Sequence, residues 1–186
     1  MPNLYSNNDD GYIISSTVGT WAGARDDTTG TVSTAIESSS SFVAVSRFGG
    51  RGGGNTYRVV RSFMYFDTSG ITGAVSAATI KIRGASANDG SIIAVKSTAF
   101  GGDGGTALAT SDLDAITGYS TGSSLAGNAT DYSNSITSTS WNMSGYNDLT
   151  GTSDLRADMQ NNNVVIICFM DYTNDYLNSA LGSNTT

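Results

Sequence analysis

The chain contains no histidine and only one cysteine, Cys168. Without an imidazole there is no Ser-His-Asp triad, no Cys-His dyad and no His-ligated zinc. Cys168 sits inside the apolar run Ile166-Ile-Cys-Phe, where a thiol is expected to pack as a small hydrophobe and not to react. A single cysteine also excludes an intrachain disulfide. At 186 residues none is needed, because a domain of this size buries about 70% of the surface its extended chain exposes. Charge is scarce as well: 13% of residues are charged, with Lys+Arg 9 against Asp+Glu 16 and a net charge of −7. Such a shortage of cations disfavours binding to nucleic-acid phosphates and to anionic membrane surfaces. Long apolar stretches are missing too. The longest, Val164 to Met170, is far short of the roughly 20 residues a membrane-spanning helix needs, so no membrane insertion is expected. The opening Met-Pro-Asn-Leu-Tyr-Ser-Asn-Asn-Asp-Asp has neither a basic nor an apolar leader region, so no signal peptide is expected and synthesis in a reducing cytoplasm fits.

What the chain does have is Ser, Thr, Asn and Gly, the residues of turns and solvated strand faces, together with 38% hydrophobic residues in alternating runs. Tyr57-Arg-Val-Val-Arg-Ser-Phe-Met-Tyr-Phe-Asp predicts a strand, Thr68-Ser-Gly-Ile-Thr-Gly a loop, and Ala77-Ala-Thr-Ile-Lys-Ile-Arg a second strand with Ile80 and Ile82 on one face. Further strands are expected at Gly11–Ser15, Phe42–Phe48 and Ser91–Lys96. One strand or a bent pair is expected over Thr137–Leu149. Val164–Met170, apolar on both faces, is expected to be a central strand covered on each side. The helix signal is a single one, Thr152-Ser-Asp-Leu-Arg-Ala-Asp-Met-Gln, with a Thr/Ser start and early acid. The fold class expected is all-β: one antiparallel, jelly-roll-like β-sandwich with one short helix.

Arg61-Ser-Phe-Met-Tyr-Phe-Asp-Thr-Ser-Gly-Ile followed by Val75-Ser-Ala-Ala-Thr-Ile-Lys-Ile resembles the core motif of the DNRLRE-type β-sandwich family. An early Asp-Asp-Gly, the segment Trp21 to Arg25, and Tyr146-Asn-Asp-Leu extend the likeness. The resemblance implies a jelly roll of the kind found in phage particles and in carbohydrate-binding or surface modules. Similar proteins continue past the strand equivalent to Val164–Met170 into a closing strand, whereas this sequence stops at Asn184-Thr-Thr. Residues 11–186 are therefore expected to form one sandwich domain lacking its own last strand, and residues 1–10 an N-terminal arm or first-strand extension. Either the sequence is truncated or an open edge receives a strand from another chain, with Pro2, Asn3, Leu4 and Tyr5 in the donated arm.

Other chemistry is thinly represented. Asp9 with Asp10, Asp26 with Asp27, and the sole glutamate, Glu37, are the carboxylates that paired acid catalysis could draw on, yet adjacent aspartates in Gly- and Thr-rich segments read as solvated turns. No cofactor is expected. Calcium is the one metal whose ligand types occur, in Asn7-Asn-Asp-Asp-Gly and Asn88-Asp-Gly, without the spacing of an EF-hand. Gly49-Gly-Arg-Gly-Gly-Gly precedes a strand and not a helix, so it reads as a connection or contact tip and not a phosphate loop. Trp21, Tyr119, Tyr132, Trp141 and Tyr146 are the aromatics available to stack on a sugar. Asn128-Ala-Thr, Asn142-Met-Ser and Asn184-Thr-Thr match the glycosylation sequon. The function expected is that of a noncatalytic structural subunit of a virion or extracellular filament, partnered by copies of itself or other subunits. The alternative is a carbohydrate-binding or adhesive module for cell-surface glycans.

Overall fold

The computed structural model of the chain describes residues 3–7, 9–15, 19–34, 43–49, 54–85, 90–119 and 128–181. Among the described residues nine strands run in chain order: β1 (Gly11–Ser15), β2 (Gly30–Thr34), β3 (Ala44–Gly49), β4 (Asn55–Asp67), β5 (Thr79–Arg83), β6 (Ser91–Lys96), β7 (Ile136–Thr137), β8 (Tyr146–Thr150) and β9 (Val164–Asp171). Two helices, α1 (Trp21–Arg25) and α2 (Ser153–Asn161), complete the regular structure together with short helical turns. Seven strands form one antiparallel sheet in the order β2-β1-β4-β9-β6-β7, with β3 also paired to β4, while β5 and β8 form a second sheet. The protein is an all-β sandwich, and its two layers are very unequal.

The core explains the inequality. Along β9 alternate side chains face opposite ways. Ile166, Cys168 and Met170 join Ile13, Phe63, Tyr65, Ile93, Val95 and Phe100 on one side. Val165, Ile167 and Phe169 join Ala94, Tyr132, Ile80, Leu149 and Leu155 on the other. The large sheet thus needs cover on both faces. On the first it is covered by turns at Phe100–Gly102, Thr110–Asp114 and Tyr172–Tyr176, and on the second by the β5–β8 sheet and α2. The centrality expected of Val164–Met170 is realised by pairing on both edges, with β4 from Ser62↔Phe169 to Asp67↔Val164 and with β6 from Ile92↔Asp171 to Lys96↔Ile167.

The predicted helix is α2, its first turn capped by the Thr152 hydroxyl, which accepts from the Leu155 amide at 3.3 Å. The sequence reading did not include α1, which Thr20 caps through the Gly23 amide and which buries Trp21 and Ala24 against Val59 and Leu181. Strands β4 and β5, adjacent in sequence, belong to different sheets. Thr137–Leu149 is likewise divided: β7 ends a sheet edge, and after a turn β8 begins the other layer. Among the described residues no strand follows β9. In the N-terminal segment Asn3 and Tyr5 are exposed, Tyr5 to 81%. Asn7 donates its amide to the Tyr65 carbonyl (3.2 Å), and the buried Asp10 carboxylate accepts from the Tyr65 amide (3.2 Å), so this segment prolongs the line of β1 beside β4. Pro2 and Asn184 lie outside the described residues.

Candidate functional site

Charged chemistry is concentrated inside the protein. Along β4, Arg61 takes a place in the Val59, Phe63, Tyr65 register, the side that faces the core. It is fully buried, as are Arg25 at the end of α1 and Asp175 after β9. The Arg61 guanidinium grips Asp175 with two parallel bonds, Nε to Oδ2 at 2.8 Å and an Nη to Oδ1 at 2.7 Å. Its remaining donors reach the carbonyls of Leu113 (2.8 Å) and Arg25 (2.9 Å). Arg25 donates to the Asp175 carbonyl at 2.8 Å and to the Asp26 carboxylate at 2.6 Å. The Tyr119 ring lies against both guanidinium groups, 5.2 Å from Arg61 and 5.5 Å from Arg25, and its hydroxyl donates to Asp26.

Two cations and two carboxylates thus balance in a site that joins α1, β4, the Thr110–Asp114 turn and the segment after β9. Burial works against the charge of Arg61, but the attraction and hydrogen bonds of Asp175 outweigh it and hold the guanidinium's pKa above its ordinary value. Burial also pushes the Tyr119 phenol up to about 12. With Arg25, Arg61 and Asp175 fully buried and bonded to one another, this arrangement ties four parts of the fold together. The burial of Arg61 was readable from its register with Val59 and Phe63. The identity of its partner was not.

The residues singled out from sequence are scattered by the fold. Asp10 is buried while its neighbour Asp9 is exposed. Asp26 serves Arg25, and Asp27 accepts from the Thr29 amide in a turn. Glu37 and Asn88-Asp89 lie outside the described residues, and among the described residues no three His, Cys, Asp or Glu side chains converge on a metal-sized site. Of the aromatics, Trp21 and Tyr132 are buried, Tyr119 lies against the arginines, Trp141 is half-buried, and Tyr146 is 62% exposed. Both described sequon asparagines, Asn128 and Asn142, are exposed. Cys168 is fully buried, and burial raises its thiol pKa well above the ordinary value. No described helix is long and apolar enough to cross a membrane.

One exposed polar surface lies on the β5–β8 sheet. Pairing runs from Thr79↔Thr150 to Arg83↔Tyr146. Gly84 donates to Gly145 (2.9 Å) and Gly151 to Ala78 (3.0 Å). By antiparallel alternation the inward-bonded pairs are therefore Ile80 with Leu149 and Ile82 with Asn147. The backbone groups of Thr79, Lys81 and Arg83 on one strand, and of Tyr146, Asp148 and Thr150 on the other, point away from the pair. Thr150 is covered: its amide donates to the Asn134 side chain (2.6 Å) and its carbonyl accepts the Asn134 amide (3.2 Å). Beside the remainder of both edges no strand lies among the described residues.

The solvent face of this sheet carries Thr79, Lys81, Arg83, Tyr146 and Asp148, all exposed, with Lys81 bonded to both Asp148 oxygens at 2.9 Å. At its end the turn Trp141–Gly145 is tied down by buried Asn147, which accepts from the Asn142 amide (2.7 Å) and donates to the Asn142 carbonyl (3.0 Å). Asn142 in turn accepts from the Ser144 amide (3.1 Å). Only glycine fits at position 84, where a Cβ would collide with the Asn142 carbonyl. Trp141 Nε1 is enclosed on the Gly84 side of this turn without a hydrogen-bond partner, while Met143 and Tyr146 in the same segment are exposed.

Comparison with known proteins finds no matching family model, no matching curated protein and no matching solved structure.

Proposed function

We propose that this chain is a noncatalytic structural subunit of a virion or extracellular filament, whose copies associate through β-sheet edges. The observation that carries the reading is the two-stranded outer layer. Its outward-facing backbone groups at Thr79, Lys81, Arg83, Tyr146 and Asp148 have no strand beside them among the described residues, and unpaired edges are templates for a strand from another chain. Two further observations agree. The charged groups best placed for chemistry, Arg25, Arg61 and Asp175, are enclosed and consumed by one another. The likeness of Arg61–Ile71 and Val75–Ile82 to DNRLRE-type sandwiches, some of them in phage particles, points the same way. Electron microscopy of the purified chain tests the proposal: filaments or regular particles are expected, and a persistent monomer across the accessible concentration range refutes it.

A second reading, an adhesive module for cell-surface glycans, draws on the turn at Trp141–Tyr146. There the Tyr146 phenol ring is exposed, and exposed aromatic faces are how proteins stack on sugars. Glycan-array binding that is lost in Tyr146→Ala would favour this reading over the first.

A further inference from the structure

The charge of this acidic chain is unevenly placed. From Ser38 to Phe66 the sequence has four arginines, Arg47, Arg51, Arg58 and Arg61, and none of the sixteen acidic residues. Arg61 is the buried partner of Asp175. The described surface charge of the stretch therefore rests on Arg47 and Arg58, in the ribbon formed by β3 and the first half of β4, where Ser46 pairs with Arg58, Arg47 with Tyr57 and Phe48 with Thr56.

Each of these arginines lies against an aromatic ring. Arg47 is 5.8 Å from the Tyr57 centroid and Arg58 is 5.8 Å from that of Phe48, a ring 42% exposed. Among the described residues neither has a carboxylate partner, whereas Arg25, Arg61, Lys81 and Lys96 all do. A guanidinium held against a ring keeps its planar fork of N–H donors free for a carboxylate. Arginine beside tyrosine and phenylalanine is also the composition enriched at the centres of protein interfaces.

We infer that the β3–β4 ribbon, through Arg47, Arg58 and Phe48, docks on the acidic surface of a second copy of this chain. The occupant follows from charge. The stretch that holds the ribbon is basic, and the rest of the chain, which carries all sixteen acidic residues against five Lys and Arg, is the acidic surface a second copy offers it. A two-fold contact of ribbon on ribbon would set like charges against each other. Ribbon on acidic surface joins two different patches, and repeated head to tail such a contact propagates into open filaments unless its rotation closes. A polyanion partner would need a longer track of cations than this ribbon shows. The inference rests on the assembly proposed above and specifies one surface and its chemistry.

Sedimentation velocity on the full chain at about 50 mM and about 500 mM NaCl, for wild type and for Arg47→Gln/Arg58→Gln, tests it, because contacts between exposed charges weaken as the screening length shortens. Wild-type assembly is expected at low salt and should be reduced at high salt. The double variant should need roughly tenfold more protein to assemble at low salt, with an unchanged melting temperature. Lys96→Gln/Arg156→Gln, which removes as much positive charge from β6 and α2, should assemble as wild type does. Assembly indifferent to both salt and the Arg47/Arg58 changes overturns the ribbon and leaves the structural-subunit reading standing, whereas a chain monomeric in every condition overturns both. Binding of a heparin oligosaccharide that is lost in the variant, with assembly unaffected, assigns the ribbon to a polyanion and overturns the inference.

Discussion

Asp175→Asn is the substitution that tests the buried charge network most sharply. The aspartate is fully enclosed and receives two charge-assisted bonds from Arg61, at 2.8 and 2.7 Å. Asparagine keeps the volume and one acceptor oxygen, but it removes the charge and turns an NH2 group toward an Arg61 donor. Asp26 then remains as the carboxylate bonded to Arg25. Breaking a buried ion pair from one side costs about 3–5 kcal/mol, mostly because the surviving charge is left uncompensated. Against a total stability of about 5–15 kcal/mol that is a large fraction. At about 2–4 °C per kcal/mol for a chain of this size the melting temperature should fall by roughly 6–20 °C. Urea unfolding followed by tryptophan fluorescence is a suitable assay, because Trp21 is anchored beside the network through its bond to Asn178 (3.2 Å). Asp148→Asn, which breaks an ion pair exposed on both sides (58% and 56%), is the control and should change stability by less than about 1 kcal/mol. Arg61→Met combined with Asp175→Leu should cost less than the sum of the two single changes, since the pair is removed together. If Asp175→Asn costs no more than Asp148→Asn, the account of the network as the lock of the fold is wrong.

Other perturbations probe separate parts of the structure. Burial lifts the Asp10 carboxyl to about 6, with hydrogen bonds from Ser6 and Tyr65 only partly opposing it. The folded state therefore holds the proton more tightly than the unfolded chain, and this contribution to stability is present below about pH 4 and lost as pH rises through about 6; melting curves from pH 4 to 7 should show Asp10→Asn flattening that decline. Thr152→Ala removes both the cap on Leu155 and the bond from the Thr152 hydroxyl to the Asp131 carbonyl (2.6 Å), for a loss of about 1–2 kcal/mol in urea unfolding. Gly118→Ala forces a side chain onto a backbone with φ of 83° and into the Asn128 carbonyl, so it should destabilise by more than about 1 kcal/mol in the same assay. Cys168 should resist a thiol reagent such as DTNB in native buffer and react fully in denaturant, because it is enclosed and its thiolate is disfavoured.

How far the sequence discloses this structure depends on the range over which each feature is determined. Alternation is local, so β1, β4, β5, β6 and β9 were legible from their own residues, as was α2 from its Thr-Ser start and early acid. The five residues of α1 are too few to show a helical period, and only the Thr20 cap marked them. The break between β7 and β8 is made by Asn142 and Asn147 bonding the turn between them, which the apolar pattern does not register. Arg61 and Asp175 are separated by 114 positions, and no periodicity joins residues so distant. The candidate surface follows from one feature that was legible. A strand apolar on both faces, as β9 is, requires cover on both sides of its sheet. On the first face turns supply it, bound to the core partly through Arg61 and Leu113. On the second, among the described residues, it falls to α2, which contributes Leu155, and to β5 and β8, which contribute Ile80 and Leu149. Two strands suffice to cover that apolar surface, but a two-stranded sheet has two outer edges and no interior strand. The edges at Lys81 and Asp148, which no described strand pairs, are thus the geometric consequence of covering a broad sheet with a narrow one.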